Sequence, residues 1–338
     1  MSKSVILGIE SSCDDTSAAI IQGNSILSNI AANQKIHLEY GGVVPELASR
    51  AHQQNIIPVV HQALNQANIQ QNEICAIGFT RGPGLLGSLL VGTSFAKSLA
   101  MSLDVPLIEV NHLQAHILAH FIEDANPNPP KFPFICLTVS GGHTLIVLVK
   151  DYFDMEILGR TIDDAAGEAF DKIGKIMDLD YPAGPIIDKL SKEGDENAFQ
   201  FNKPRLEGYD YSFSGIKTSV LYFLQKEIKK NPDFVKENLN DLCASVQKNI
   251  IDILLKKLEK AADDYGVKEI AIAGGVSANS KLRSALKELS EKKGWNYYIP
   301  KFEYTTDNAA MIAMVAKLKY EKGEFTDLRA TATAKYDL

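Results

Sequence analysis

The sequence predicts an α/β protein in which one architectural unit occurs twice. Two observations carry that expectation. Three β-like runs followed by helices and strands in the order βββαβαβα fill the first part of the chain, and the same order recurs after a linker rich in Asn and Pro. At 338 residues the chain also suits two domains of ordinary size better than one. Such a repeat implies two similar halves facing each other across a cleft.

Each element has a local reason. Residues 4–10, 16–22 and 26–31 are short apolar runs, and Gln22-Gly23-Asn24 is a turn signal between the last two. Residues 45–68 are amphipathic, with Pro45 fitting a first helical turn, whereas Pro58 should bend or split the helix. Residues 74–80 form a strand, Gly82-Pro83-Gly84-Leu85-Leu86-Gly87 opens a helix reaching about Leu103, and residues 106–110 form another strand. Asn111 is a good N-cap for a helix to about Phe121. Asn126-Pro127-Asn128-Pro129-Pro130 reads as the linker. Beyond it, strands are expected at 134–139, 143–149 and 155–158, and helices at 165–177, 184–191, 215–230 and 239–264. A strand at 268–273, a helix at 277–292, a strand at 295–299 and a helix at 306–321 complete the second half. The expected domains are residues 1–125 and 131–309, with 310–338 able to pack back on the first. This duplicated pattern is the architecture of actin, hexokinase and the Hsp70 ATPase.

Composition narrows the function classes. A hydrophobic fraction of 45% with 23% charged residues is ordinary for a globular protein. The apolar stretch 85–100 is interrupted by Gly87, Gly92 and Lys97, so no membrane span is expected. Four scattered cysteines without a CxxC, and no signal-peptide pattern, point to a reduced, cytoplasmic protein. A net charge of -7 argues against a broadly nucleic-acid-binding surface, but not against a local basic patch or a partner that supplies one.

Several loops have chemical potential. His112 and His116 stand four apart on one helix face and can hold one metal ion. Leu113 stands where a His-Glu-x-x-His protease would place its glutamate, and His120 lies one turn further on. A polar helix face with partly exposed histidines is the plainer alternative. The first hairpin turn, Glu10-Ser11-Ser12-Cys13-Asp14-Asp15-Thr16, gathers carboxylates and hydroxyls, although Asp and Ser are common in turns. Its counterpart, Val139-Ser140-Gly141-Gly142-His143-Thr144, lets backbone N–H groups approach an anion, without a Walker A or GxGxxG pattern. Asp171 lies on the polar face of the helix at 165–177, which is either solvated or turned to a ligand's ribose. Ala273-Gly274-Gly275-Val276-Ser277-Ala278-Asn279 joins a strand to a helix and offers room for a flat ligand beside the Asn279 amide. Asp307 either caps the last helix or completes the histidine site.

Seven stretches stand out together: 8–16, 111–116, 139–144, Ala166-Gly167-Glu168-Ala169-Phe170-Asp171-Lys172, Ser212-Phe213-Ser214-Gly215-Ile216-Lys217-Thr218, 273–279 and Thr306-Asp307-Asn308-Ala309-Ala310-Met311. As a set they resemble the TsaD family, also called Gcp, of tRNA threonylcarbamoyladenosine transferases. The resemblance runs in order from about residue 5 to 315. It implies the duplicated actin-like fold and a metal, iron or zinc, held by His112, His116 and Asp307, with Asp14 as a fourth candidate. It implies substrate-binding positions at Thr138, Val139, Ser140, Gly141, Gly142, Asp171, Gly184, Asp188 and Asn279. The family usually has Tyr-Pro-Gly-Gly-Pro where this chain reads Tyr181-Pro182-Ala183-Gly184-Pro185, so a methyl stands where there is normally none.

The implied reaction moves a threonylcarbamoyl group from threonylcarbamoyl-AMP to N6 of a tRNA adenosine, with TsaB and TsaE as partners. Asp14 and Asp15 are the expected catalytic carboxylates, Asp15 taking the N6 proton. Two rival readings stand beside it. A metalloendopeptidase is supported by the histidine pair alone, and an actin-like small-molecule kinase would need no histidine-held metal.

Overall fold

The computed structural model describes residues 4–34, 36–125, 128–203 and 206–338. Asn126 and Pro127 of the expected linker lie outside the described residues. The chain divides into two compact units, one made of Met1–Pro129 with Pro300–Leu338 and the other of Pro130–Ile299.

The first unit begins with the strands β1 (Val5–Glu10), β2 (Thr16–Gln22) and β3 (Ser25–Ala32). Helices α1 (Ile36–Tyr40) and α2 (Pro45–Ala67) follow, then β4 (Ala76–Gly82), α3 (Leu86–Leu103), β5 (Leu107–Asn111) and α4 (His112–Leu118). The sheet has the order β3-β2-β1-β4-β5, with β1–β2 and β2–β3 antiparallel and β1–β4 and β4–β5 parallel. Val5, Leu7, Ile9, Ile77 and Phe79 pack against Ile56, Val59, Val60 and Leu64 of α2. Burial of that apolar stripe holds α2 in one piece through Pro58, where the sequence suggested a bend or split. Helix α3 is long and apolar enough to cross a membrane by length and composition alone. Its Ser88, Leu89, Thr93, Ala96 and Ala100 are buried.

The second unit repeats the sheet. Strands β6 (Phe134–Val139), β7 (Thr144–Asp151) and β8 (Asp154–Arg160) are antiparallel neighbours. Helices α5 (Ala166–Ile176), α6 (Ala183–Leu190), α7 (Ser214–Ile228), α8 (Phe234–Glu237) and α9 (Leu239–Tyr265) come next. Strand β9 (Glu269–Ala273), α10 (Ser280–Lys293) and β10 (Asn296–Tyr298) finish the unit, and the sheet order is β10-β9-β6-β7-β8. The core joins Leu137, Val139 and Ile146 to Phe170, Ile173 and Val246.

The last helix, α11 (Ala309–Lys322), belongs to the first unit. It is buried over most of its circumference, as expected of a helix apolar on all sides. It lies so close to β1 that a Cβ at Gly8 would stand 2.6 Å from the Ala309 carbonyl oxygen. Its first free N–H, at Ala309, donates to Ser17 Oγ on β2 at 2.8 Å.

Candidate functional site

The histidine cluster is assembled by three neighbouring elements of the first unit. Asn111 ends β5 and caps α4, its Oδ1 accepting from Leu113 N at 2.9 Å and Gln114 N at 3.1 Å. That cap starts the helix one residue before His112, and the four-residue spacing brings His116 beside it. The two rings meet edge to face, with centroids 4.7 Å apart. From the other side, Asn308 rather than Asp307 caps α11, its Oδ1 accepting from Met311 N at 3.1 Å. The Asp307 carboxylate is therefore free to face the histidines.

Asp307 Oδ1 lies 3.4 Å from His112 Nε2 and 3.2 Å from His116 Nε2. One ligand atom from each of the three residues falls within 4.8 Å of the others. Two imidazoles and a carboxylate, converging and largely buried, form a donor set suited to a divalent transition metal. His120 and Asp14 lie outside this group among the described residues.

The charges are strongly coupled. Burial disfavours the His112 cation, but the Asp307 and Glu10 carboxylates outweigh it and hold its pKa well above the ordinary value. Burial likewise disfavours the Asp307 carboxylate, yet His112 and His116 keep it far below the usual range. The pKa of His116 is lowered by burial, with His112 adding repulsion, and its Nδ1 is buried without a hydrogen-bond partner among the described residues. His112 thus stands between two carboxylates, Glu10 at Nδ1 and Asp307 at Nε2.

The β1–β2 turn carries the acidic pair. Burial, then the charges of Asp14, Asp307 and Glu10, push the Asp15 carboxyl up to about 7. That value suits a proton acceptor near neutral pH. The turn is held by His52 of α2, whose Nδ1 lies 2.8 Å from Thr16 Oγ1 and Nε2 3.0 Å from the Cys13 carbonyl oxygen.

The second unit gathers the other expected residues. Val139 pairs with Thr144, leaving Ser140–His143 as a tight loop in which Ser140 Oγ accepts from Gly142 N at 3.3 Å and His143 N at 3.0 Å. A Cβ at Gly141 or Gly142 would meet no atom within 4 Å, so the loop's backbone is open to a ligand. Thr138 and Val139 are buried in β6. Asp171 Oδ1 accepts from Ala183 N at 2.8 Å and Gly184 N at 3.4 Å, and burial raises its pKa. The carboxylate thus caps α6 as well as lying beside Gly184. The Ala183 methyl that departs from the family pattern is buried and directed at Gly174 of α5, which has no side chain to oppose it.

Asp188 and Asn279 are brought together, and both are engaged. Asp188 Oδ1 accepts from Ser280 N at 3.1 Å and Ser280 Oγ at 2.8 Å. Asn279 caps α10 through Leu282 N and donates to Gln247 Oε1 at 2.6 Å. The two preceding glycines differ in role. Gly274 has φ +83° and would drive a Cβ to 2.5 Å from the Val139 carbonyl oxygen, so close packing requires it, while Gly275 faces open space.

Glu10 is the polar residue that the sequence reading left without a role. Its carboxylate is fully buried, and its Oε2 lies 3.0 Å from His112 Nδ1. The available signal was a carboxylate at the end of the apolar run Val5-Ile6-Leu7-Gly8-Ile9, where burial without a partner would be costly.

Duplicated five-stranded sheets with this topology place the chain in the actin-like class. HypF in its phosphate- and nucleotide-bound form superposes with a TM-score of 0.62 at 14% identity, over 96% of this chain and 48% of that one. A ROK hexokinase from Thermus thermophilus superposes with a TM-score of 0.50 at 14% identity, over 94% of this chain and 100% of that one. Both likenesses concern the fold alone. Sequence comparison is narrower. The model of the TsaD family, tRNA N6-adenosine threonylcarbamoyltransferase, matches residues 25–314. A protein of that name from Riemerella anatipestifer is 82% identical over 338 residues, spanning 100% of this chain and 99% of its own. Another from Christiangramia forsetii is 62% identical, spanning 98% of this chain and 97% of its own. The chain belongs to the TsaD family and is an acyltransferase.

Proposed function

We propose that this chain transfers the threonylcarbamoyl group from threonylcarbamoyl-AMP to N6 of the adenosine immediately 3′ of the anticodon, in tRNAs reading ANN codons. Family membership across residues 25–314 is the observation that carries the reading. The endopeptidase and kinase alternatives have no comparable support.

The residues suit distinct tasks. His112, His116 and Asp307 would hold one divalent metal, iron foremost and zinc next, with Asp14 close by in sequence to the acceptor Asp15. When bound, the metal supplies Lewis acidity that polarises the carbamoyl carbonyl. The open Ser140-Gly141-Gly142 backbone would receive the adenylate phosphate, Asp171 the ribose, and Gly184, Asp188 and Asn279 the region of the adenine; Thr138 and Val139 would support that loop. In the transfer, N6 forms a bond to the carbamoyl carbon and the bond from that carbon to the phosphate oxygen breaks. AMP leaves with the electron pair, and Asp15 takes the N6 proton, a role that its raised pKa supports. The reaction belongs in the cytoplasm. The chain's charge of -7, with exposed Lys226, Lys229 and Lys230 as one of few basic clusters, suits help from TsaB and TsaE in engaging tRNA.

Reconstitution tests the whole reading. Metal-loaded protein, TsaB, TsaE, threonylcarbamoyl-AMP and an unmodified ANN-decoding tRNA should give the modified nucleoside and one AMP per transfer. Asp14→Ala and Asp307→Asn should abolish it. Gly142→Val meets open space, so that variant should fold yet bind adenylate poorly. Absence of modified nucleoside with folded, metal-loaded protein defeats the proposal. Chelator-sensitive peptide cleavage would then favour the endopeptidase, and ATP-dependent phosphorylation the kinase.

A further inference from the structure

We propose that Glu10 is a positioning residue that holds the His112 ring in the tautomer whose Nε2 is free to bind a metal, and thereby sets the metal affinity of the cluster. The inference rests on the reading of His112, His116 and Asp307 as metal ligands.

Glu10 ends β1 as a fully buried carboxylate. Its Oε1 accepts from Ser12 N. Its Oε2 accepts from Thr80 Oγ1 at 2.7 Å and faces His112 Nδ1 at 3.0 Å. An ionised carboxylate can only accept, so His112 Nδ1 must carry a hydrogen. In a neutral imidazole that leaves the Nε2 lone pair unprotonated, and Nε2 is the atom turned toward Asp307. A ligating histidine whose far nitrogen donates to a carboxylate has a fixed ring orientation and a more basic ligand atom. His116 lacks this support, because its Nδ1 has no partner among the described residues. Glu10 therefore acts on one ligand of the three.

Glutamine separates positioning from simple anchoring. In Glu10→Gln the amide oxygen must stay at Ser12 N to keep that bond, which turns the amide NH2 toward His112. His112 Nδ1 then loses its carboxylate acceptor and keeps only the Ser12 hydroxyl, 3.2 Å away, which can donate as well as accept, so the hydrogen is no longer fixed on Nδ1 and is free to move to Nε2, where it opposes metal binding. Thr80 Oγ1 has a second acceptor in the Ile9 carbonyl oxygen at 3.5 Å, so the variant has a route to folding.

Zn2+ titrations against a chromophoric chelator should show affinity falling about 10- to 100-fold in Glu10→Gln, with metal-free melting close to wild type. Thr80→Val removes another bond to the same carboxylate, and it should lower the melting temperature while leaving Zn2+ affinity unchanged. Nitrogen-15 NMR of Zn2+-loaded wild type should find His112 protonated at Nδ1. Equal Zn2+ affinity in wild type and Glu10→Gln, or His112 protonated at Nε2, overturns this inference alone. No Zn2+ binding by wild type overturns the metal reading and this inference with it.

Discussion

His52 has both ring nitrogens engaged in a buried site, and its hydrogen-bond roles are fixed by its partners. The Cys13 carbonyl can only accept, so Nε2 carries the hydrogen and Nδ1 accepts from the Thr16 hydroxyl. Protonation would reverse the second bond, making the Thr16 hydroxyl the acceptor, and would place a charge in a buried site. Burial is the main reason its pKa lies below that of an ordinary imidazole. Between the folded and unfolded pKa values the unfolded chain binds more protons, so this group's contribution is complete above the unfolded value and is lost as pH falls through it. The stability difference between wild type and His52→Gln, measured by denaturant titration, should therefore shrink as pH falls below about 6.5. A difference independent of pH would show that His52 does not act through its neutral form. At this scale the histidine pair was legible, because i, i+4 spacing dictates which histidines share a face. Glu10 was not, since its pairing with His112 spans 102 residues and no local rule reports it. The same limit applies to Asp171, Asp188 and Asn279, whose bonds to Ala183, Ser280 and Gln247 join separate elements of the second unit.

Element order and type were readable because apolar periodicity and turn residues agree. Helix ends show this well: α9, α10 and α11 stop at Gly266, Gly294 and Gly323, each with positive φ. The segment after α11 was not readable, having no periodicity to follow. It runs along the ends of β4 and β5 as a strap. Thr333 N donates to the Arg81 carbonyl at 2.9 Å, Arg81 Nε donates to the Thr331 carbonyl at 3.0 Å, and the Arg81 guanidinium lies 5.0 Å from the Tyr336 ring centre. Tyr336 OH donates to Glu109 at 3.0 Å. Asn111 Nδ2 donates to the carbonyls of Tyr336 at 3.2 Å and Asp337 at 2.9 Å, so the residue that caps the histidine helix is tied to the strap. Removing residues 331–338 should lower stability by about 1–3 kcal/mol and speed amide exchange across α4 more than across α2. Unchanged exchange in α4 would deny the strap any hold on that helix.

At the scale of the whole molecule, the two units are unequal in how the chain builds them. The second is one continuous stretch with its own sheet and core, so Pro130–Ile299 should fold as an isolated fragment with a cooperative melt. The first is split across 129 and 300, and its sheet depends on the later piece. Without α11, Leu7, Ile9 and Ile77 keep the α2 side of the core, but Gly8 and Gly78 lose the helix packed against them. The buried Ile312, Met314 and Val315 would also have no counterpart. At about 1.5–3 kcal/mol for each large apolar side chain, that loss rivals a domain's whole margin of stability. The fragment 1–129 should therefore remain unfolded by circular dichroism. Joining 129 to 300 through a short Gly-Ser linker should restore folding, because Asp124 already bonds Lys301 at 2.5 Å and Tyr304 at 2.9 Å. The joined chain should also bind Zn2+ through His112, His116 and Asp307, all of which it retains. A cooperative melt from 1–129 alone, or none from Pro130–Ile299, would defeat this division of the chain.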